Sequence, residues 1–375
     1  MKKIVILGVT GSIGENSLRA LDELKLSLYG IAFKDEIDKA SAIIDKYNPE
    51  VIVVATVSAY DALKKKYPHK EILVGLKGMK LFLQKEDLVV INGINGINGI
   101  YPSYYTVLNG NTLLVANKET IICIGEELLK LSYKTKASII PIDSEHSAIN
   151  SLLKKYPNPK QIIITASGGS LRDKTKEELK CVTKEEVLNH PVWKMGPSIT
   201  VNSANLSNKA MEVFEARILF QKYTSDISVK IEKNGIIHGM IVLPSGDIYK
   251  HVSTPLMSEF IKDGLNQALD LGYDFFHVEP MKKEEFLSLA EPSLDRYPLF
   301  KLASVNHNPL FPLVYTAVIE GLTEVFLEDK IEFLDIEENA VKLIGKFPLN
   351  LTLSIKQKID YYEEIKNQVK KEFSK

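Results

Sequence analysis

The chain has 375 residues, of which 45% are hydrophobic and 25% charged, with a net charge of −1. That length allows two or three filled cores, and the near-neutral balance argues against nucleic acid or an anionic membrane as the main partner. Cys123 and Cys181 lie far apart in sequence, which speaks against a disulfide framework or a thiolate metal site.

The N-terminus reads as a first strand running into Gly8, without the length or cleavage pattern of a signal peptide. No apolar run reaches the roughly 18 residues that span a bilayer, so a soluble, cytoplasmic protein is expected. Short β-branched runs at 4–7, 28–33, 51–55, 71–74, 87–91 and 112–115 alternate with amphipathic segments such as 15–25 and 37–46. This alternation predicts βαβ units and a doubly wound, Rossmann-like parallel sheet. The repeat at 91–99, three units of Ile-Asn-Gly, follows a strand and reads as a glycine-rich turn. Beyond 140 the pattern changes. Residues 161–165 and 198–201 read as strands of a second unit, and 236–243 with 248–252 read as a hairpin around Pro244 to Asp247. From about Pro298 the chain is mainly helical, ending in a surface helix over 355–375. The expected α/β organisation is therefore a nucleotide-binding domain (1–140), a central α/β catalytic domain (141–285) with a mobile loop near 186–196, and a helical C-terminal domain (286–375).

Two motifs carry chemistry. Gly8, Gly11 and Gly14 follow the first strand and open a helix, letting the backbone approach a pyrophosphate at a helix N-terminus. At the end of the second strand, Lys34 could pair with a 2′-phosphate and Asp35 could accept from a ribose hydroxyl. The second motif is acidic. Asp143 and Glu145 lie in one short segment, and Glu212 follows Asn208 and Lys209 on one helical face. Three carboxylates at one point would repel without a divalent cation, and hard oxygen ligands suit magnesium or manganese. A lysine, an amide and hydroxyls at a helix start suit a phosphate.

Taken together, the segments resemble 1-deoxy-D-xylulose 5-phosphate reductoisomerase. The resemblance rests on the ordered motifs Thr10 to Gly14, Ala116 to Glu119, Pro141 to His146, Ala166 to Gly169, His190 to Gly196, Ser203 to Glu212 and Pro292 to Pro298. It implies NADPH- and metal-dependent rearrangement and reduction of that sugar phosphate to 2-C-methyl-D-erythritol 4-phosphate, in isoprenoid precursor synthesis. The metal ligands it implies are Asp143, Glu145 and Glu212, holding magnesium, manganese or cobalt. Ser167, Ser203, Asn208 and Lys209 match the phosphate contacts, and Ser144 and Lys118 match contacts to the substrate's hydroxyls and carbonyl. His190 and Trp193 match the mobile loop. Thr10, Gly11, Ser12, Ile13, Lys34, Asn117, Glu119 and Gly196 match cofactor contacts. The resemblance also implies a homodimer and inhibition by fosmidomycin.

The chain departs from the family pattern at Asp35, at 250–259 and at 315–320, none of them in the metal or phosphate sets. Blander roles are available: Trp193 as core, His190 as a surface turn residue, Lys118 and Glu119 as an exposed helix-start pair, His146 and His238 as structural histidines. The competing functions are another Rossmann-type dehydrogenase of a phosphorylated small molecule, which needs no carboxylate triad, and a non-catalytic cofactor-binding protein.

Overall fold

The computed structural model describes residues 2–373. Contacts divide the chain into two compact units, residues 1–150 with 256–276, and residues 151–255 with 277–375.

The first unit is built on β1 (Lys3–Leu7), β2 (Leu28–Phe33), β3 (Val51–Val54), β4 (Glu71–Val74), β5 (Leu88–Asn92), β6 (Thr112–Val115) and β7 (Ile139–Pro141). They form one sheet in the order β4-β3-β2-β1-β5-β6-β7, every pair parallel. Ile4 and Ile6 of β1 join the core on one face and Val5 and Leu7 the core on the other. Burial on both faces is why these strands are near-continuous aliphatic runs rather than alternating ones. Strand order reverses between β1 and β5, and in such sheets the crevice outside the carboxyl ends at that reversal is the ligand site.

The helix Met257–Leu269 packs within this unit against the helix Ser12–Leu24. Lys262 pairs with Glu23 at 2.7 Å, and the Lys2 ammonium donates to the Ala268 carbonyl at 2.6 Å. Gly264 permits close approach to the sheet, since a Cβ there would lie 2.6 Å from Ile142.

The second unit contains β8 (Gln161–Ala166), β9 (Ile227–Ile231), β10 (Ile237–Val242), β11 (Ile248–Val252) and β12 (His277–Met281), in the order β12-β11-β10-β8-β9. Only β8 and β9 run parallel. The hairpin of β10 and β11 turns at Gly246 with φ +92°, as its sequence predicts. One expectation fails: residues 198–201 lie in the helix Pro197–Ala204, not in a strand. Pro197 fits the first helical turn, where no N–H is needed, and packing on the helix Phe311–Leu327 overrides the β preference of Ile199, Thr200 and Val201.

Candidate active site

At the β1 end, Gly8 has φ +76° and a Cβ there would lie 2.7 Å from the Gly93 carbonyl oxygen. Gly93 donates its N–H to Leu7 O at 2.9 Å, so the loops after β1 and β5 meet at the strand-order reversal. A Cβ on Gly14 would lie 2.3 Å from Val9 O, so only glycine lets the helix Ser12–Leu24 start this close to its strand. Gly11 caps that helix without a side chain, leaving its first N–H groups available to an anion. Thr10 Oγ1 donates to Glu36 at 2.5 Å, and Lys39 bonds the Thr10 carbonyl while pairing with Glu15. Lys39 thus brings a cation to the glycine loop that no sequence motif marks. Lys34 is exposed just past β2.

Asn117 caps the helix Lys118–Thr135 through Thr120 N–H at 2.7 Å, while its amide donates to Ile94 O, Gly96 O and Glu119. It therefore fixes the glycine-rich turn after β5, which ends in the 3-10 turn Gly96–Gly99. Lys118 is no exposed helix-start residue. Its ammonium pairs with Asp143, and both side chains are mostly buried. Burial alone would raise the Asp143 carboxyl, but the Lys118 ammonium and His146 hold it well below the usual carboxylate range. His146 is fully buried, with Nδ1 3.7 Å from Asp143. Ser144 opens the next helix and donates to the Glu145 carboxylate.

In the second unit, Glu212 is 1% exposed on the helix Ser207–Leu219. Lys209 donates to one of its oxygens and Asn208 to the other, the latter at 2.6 Å. The i, i+3 and i, i+4 spacing read from the sequence is thus realised at a helix N-terminus.

Ser167 sits in a turn whose next two residues, Gly168 and Gly169, have φ +85° and +76°. A Cβ on Gly169 would lie 2.5 Å from Ser203 O, so the turn seats directly on the end of the helix Pro197–Ala204. The result brings two hydroxyls to one imidazole: His190 Nε2 lies 3.1 Å from Ser167 Oγ and 3.4 Å from Ser203 Oγ. His190 Nδ1 accepts from the N–H groups of Val192 and Trp193 at 3.2 and 2.9 Å, so the ring proton resides on Nε2. Burial, with the nearby Arg172 charge, pushes its pKa down to about 4, leaving a neutral donor at physiological pH.

Trp193 is half-buried and edge-on to His238 at 6.0 Å, not a core residue. His238 is buried, with Nε2 3.1 Å from Ser253 O. Gly196 caps the helix Pro197–Ala204 and is exposed. Arg172, absent from every motif, donates from Nη1 to Ser167 O at 2.8 Å and Lys233 O at 2.9 Å.

A doubly wound parallel sheet with a glycine turn at its strand-order reversal defines the class: a dinucleotide-binding α/β protein with a second, mixed-sheet unit. Residues 4–125 match the family model of 1-deoxy-D-xylulose 5-phosphate reductoisomerase, and residues 139–220 match that of its C-terminal domain. The chain is 34% identical to the reductoisomerase of Clostridium kluyveri over 391 aligned positions, covering 100% of both chains. It is 34% identical to that of Thermodesulfovibrio yellowstonii, covering 99% of both. The chain belongs to the 1-deoxy-D-xylulose 5-phosphate reductoisomerase family. Its fold is similar to that of the Zymomonas mobilis enzyme in complex with NADPH, with a TM-score of 0.85 at 24% identity over 100% of this chain and 99% of the other. A solved DOX-P reductoisomerase in complex with NADPH, fosmidomycin and magnesium gives a TM-score of 0.84 at 26% identity, covering 100% and 98%.

Proposed function

We propose that this protein converts 1-deoxy-D-xylulose 5-phosphate to 2-C-methyl-D-erythritol 4-phosphate, using NADPH and a divalent cation, as a cytoplasmic homodimer. The observation that carries the assignment is the pair of buried lysine–carboxylate sets, Lys118 with Asp143 and Lys209 with Glu212, on a chain whose relatives bear this enzyme's name. The solved relative holding NADPH, fosmidomycin and magnesium supports the same ligands here, including inhibition by fosmidomycin.

Asp143, Glu145 and Glu212 would hold the cation, all three being hard oxygen donors suited to magnesium or manganese. When bound, the ion supplies Lewis-acid polarisation of neighbouring carbonyl and hydroxyl oxygens, and NADPH supplies the hydride. The chain's own residues bind and orient. Lys118, paired with Asp143, would donate to the substrate carbonyl, and Ser144 Oγ would meet a hydroxyl. Lys209 and Asn208, at a helix N-terminus, supply a compact charge and an amide donor for the phosphate. Ser167 and Ser203 complete that cradle, with His190 Nε2–H as an uncharged donor against both hydroxyls. His190 and Trp193, on one short loop, cover the substrate and exclude water. Thr10 to Ile13 and Gly196 contact NADPH through backbone groups and small side chains, with Lys34, Asn117 and Glu119 completing the cofactor set.

The test is absorbance of reduced nicotinamide in the purified protein. Loss of signal is expected only with 1-deoxy-D-xylulose 5-phosphate and magnesium or manganese both present. Turnover that survives complete chelation would contradict the metal role, and no substrate-dependent turnover would contradict the activity.

A further inference from the structure

The guanidinium of Arg172 joins two backbone segments that carry different parts of the second unit. One Nη1 donates to Ser167 O, in the glycine turn, and to Lys233 O, in the turn between β9 and β10. The second turn is itself rigid. Buried Glu232 accepts from the N–H groups of Asn234, Ile236 and Ile237 at 3.0, 2.9 and 3.3 Å. Lys233 pairs with Asp173 at 2.5 Å, a second link beside Arg172. The same turn abuts the His190–Trp193 loop: a Cβ on Gly235 would lie 2.6 Å from Val192 Cγ1 and 3.9 Å from Trp193 Nε1. Gly235 has φ +68°, so the turn presents bare backbone where the loop rests.

We propose that Arg172 is a positioning residue for the phosphate-binding turn and its covering loop, acting as a strut between Ser167 and the Lys233–Gly235 turn on which Val192 and Trp193 rest. It rests on the functional assignment above but extends it to residues outside the motifs read from the sequence. A guanidinium suits the task because it offers several donors in a fixed plane, never loses its charge, and lies only 17% exposed beside the His190 ring. Its Nη1 bonds two backbone carbonyl oxygens, so its action on the site runs through the backbone it holds. Burial chiefly keeps the His190 ring a neutral donor, and the Arg172 charge adds to that by disfavouring a second cation there.

Trp193 is the chain's only tryptophan, so intrinsic fluorescence reports the loop directly. In the full-length protein, Arg172→Met is expected to shift Trp193 emission to the red without ligand. With NADPH and magnesium bound, it should raise KM for the sugar phosphate about tenfold, the scale of one charged hydrogen bond. kcat should fall by a smaller factor, and NADPH affinity should not change. Gly235→Ala, at the other end of the strut, should move emission and KM in the same directions, and it decides the matter if Arg172→Met fails to fold. Unchanged emission overturns the proposal, as does shifted emission with unchanged KM. A wild-type protein inactive on this substrate would defeat the functional assignment instead, and the emission comparison would still show whether Arg172 sets the loop.

Discussion

Glu337, on the helix Phe333–Ile344, is a buried acid with no place in the chemistry. Its Oε1 has no hydrogen-bond partner among the described residues. Burial pushes its pKa up from 4.5 to about 7, against the opposing pull of Arg296 and Lys176. The phenols of Tyr297 and Tyr315 complete its titratable surroundings, and both are themselves raised by burial. The sign follows from linkage. The folded state holds this proton more tightly than the unfolded chain does, so the stability it gives is complete below pH 4.5 and lost as pH rises through about 7. A shift of this size corresponds to roughly 3 kcal/mol in all, of which about 2 kcal/mol falls between pH 5.5 and 8.5. Glu337→Gln mimics the protonated form and removes that slope. Urea unfolding of both proteins at the two pH values is the assay, read as the change in their stability difference. Glu337→Gln should gain about 2 kcal/mol relative to wild type on going from pH 5.5 to 8.5. Parallel pH profiles would refute the placement of this carboxyl as a desolvated acid.

Two further substitutions address the two binding functions separately. Glu212→Gln removes a buried charge held by Lys209 and Asn208, and should cut turnover by about a hundredfold or more while NADPH titration by fluorescence stays as in wild type. Gly14→Ala places a Cβ 2.3 Å from Val9 O, and should lower thermal stability by about 1–3 kcal/mol and weaken NADPH binding.

Strands β1 to β6 of the first sheet are legible as aliphatic runs, such as residues 51–54 buried on both faces, whereas β7 is not among the strands read from the sequence. The helix Pro197–Ala204 was misread because β-branched residues fill it, and only Pro197 and its packing signal a helix. β12 offers almost no apolar pattern, since four of its five residues are exposed or half-buried, and neither it nor β9 is among the strands read from the sequence. The carboxylates, lysines and serines of the proposed site are legible as residue types in ordered motifs. Arg172 and Lys39 were not, because they act through backbone carbonyls brought close by turns, which leaves no spacing in the sequence. His190 was legible as a loop residue, but its tautomer follows only from the two N–H groups that its Nδ1 accepts.

The central claim is that Asp143, Glu145 and Glu212 share one divalent ion. Anomalous diffraction from crystals grown with manganese, NADPH and fosmidomycin tests it most directly. The expected result is a single manganese peak within about 2.5 Å of a carboxylate oxygen from each of the three residues. A peak on Asp143 and Glu145 that leaves Glu212 bound only to Lys209 and Asn208 would contradict it.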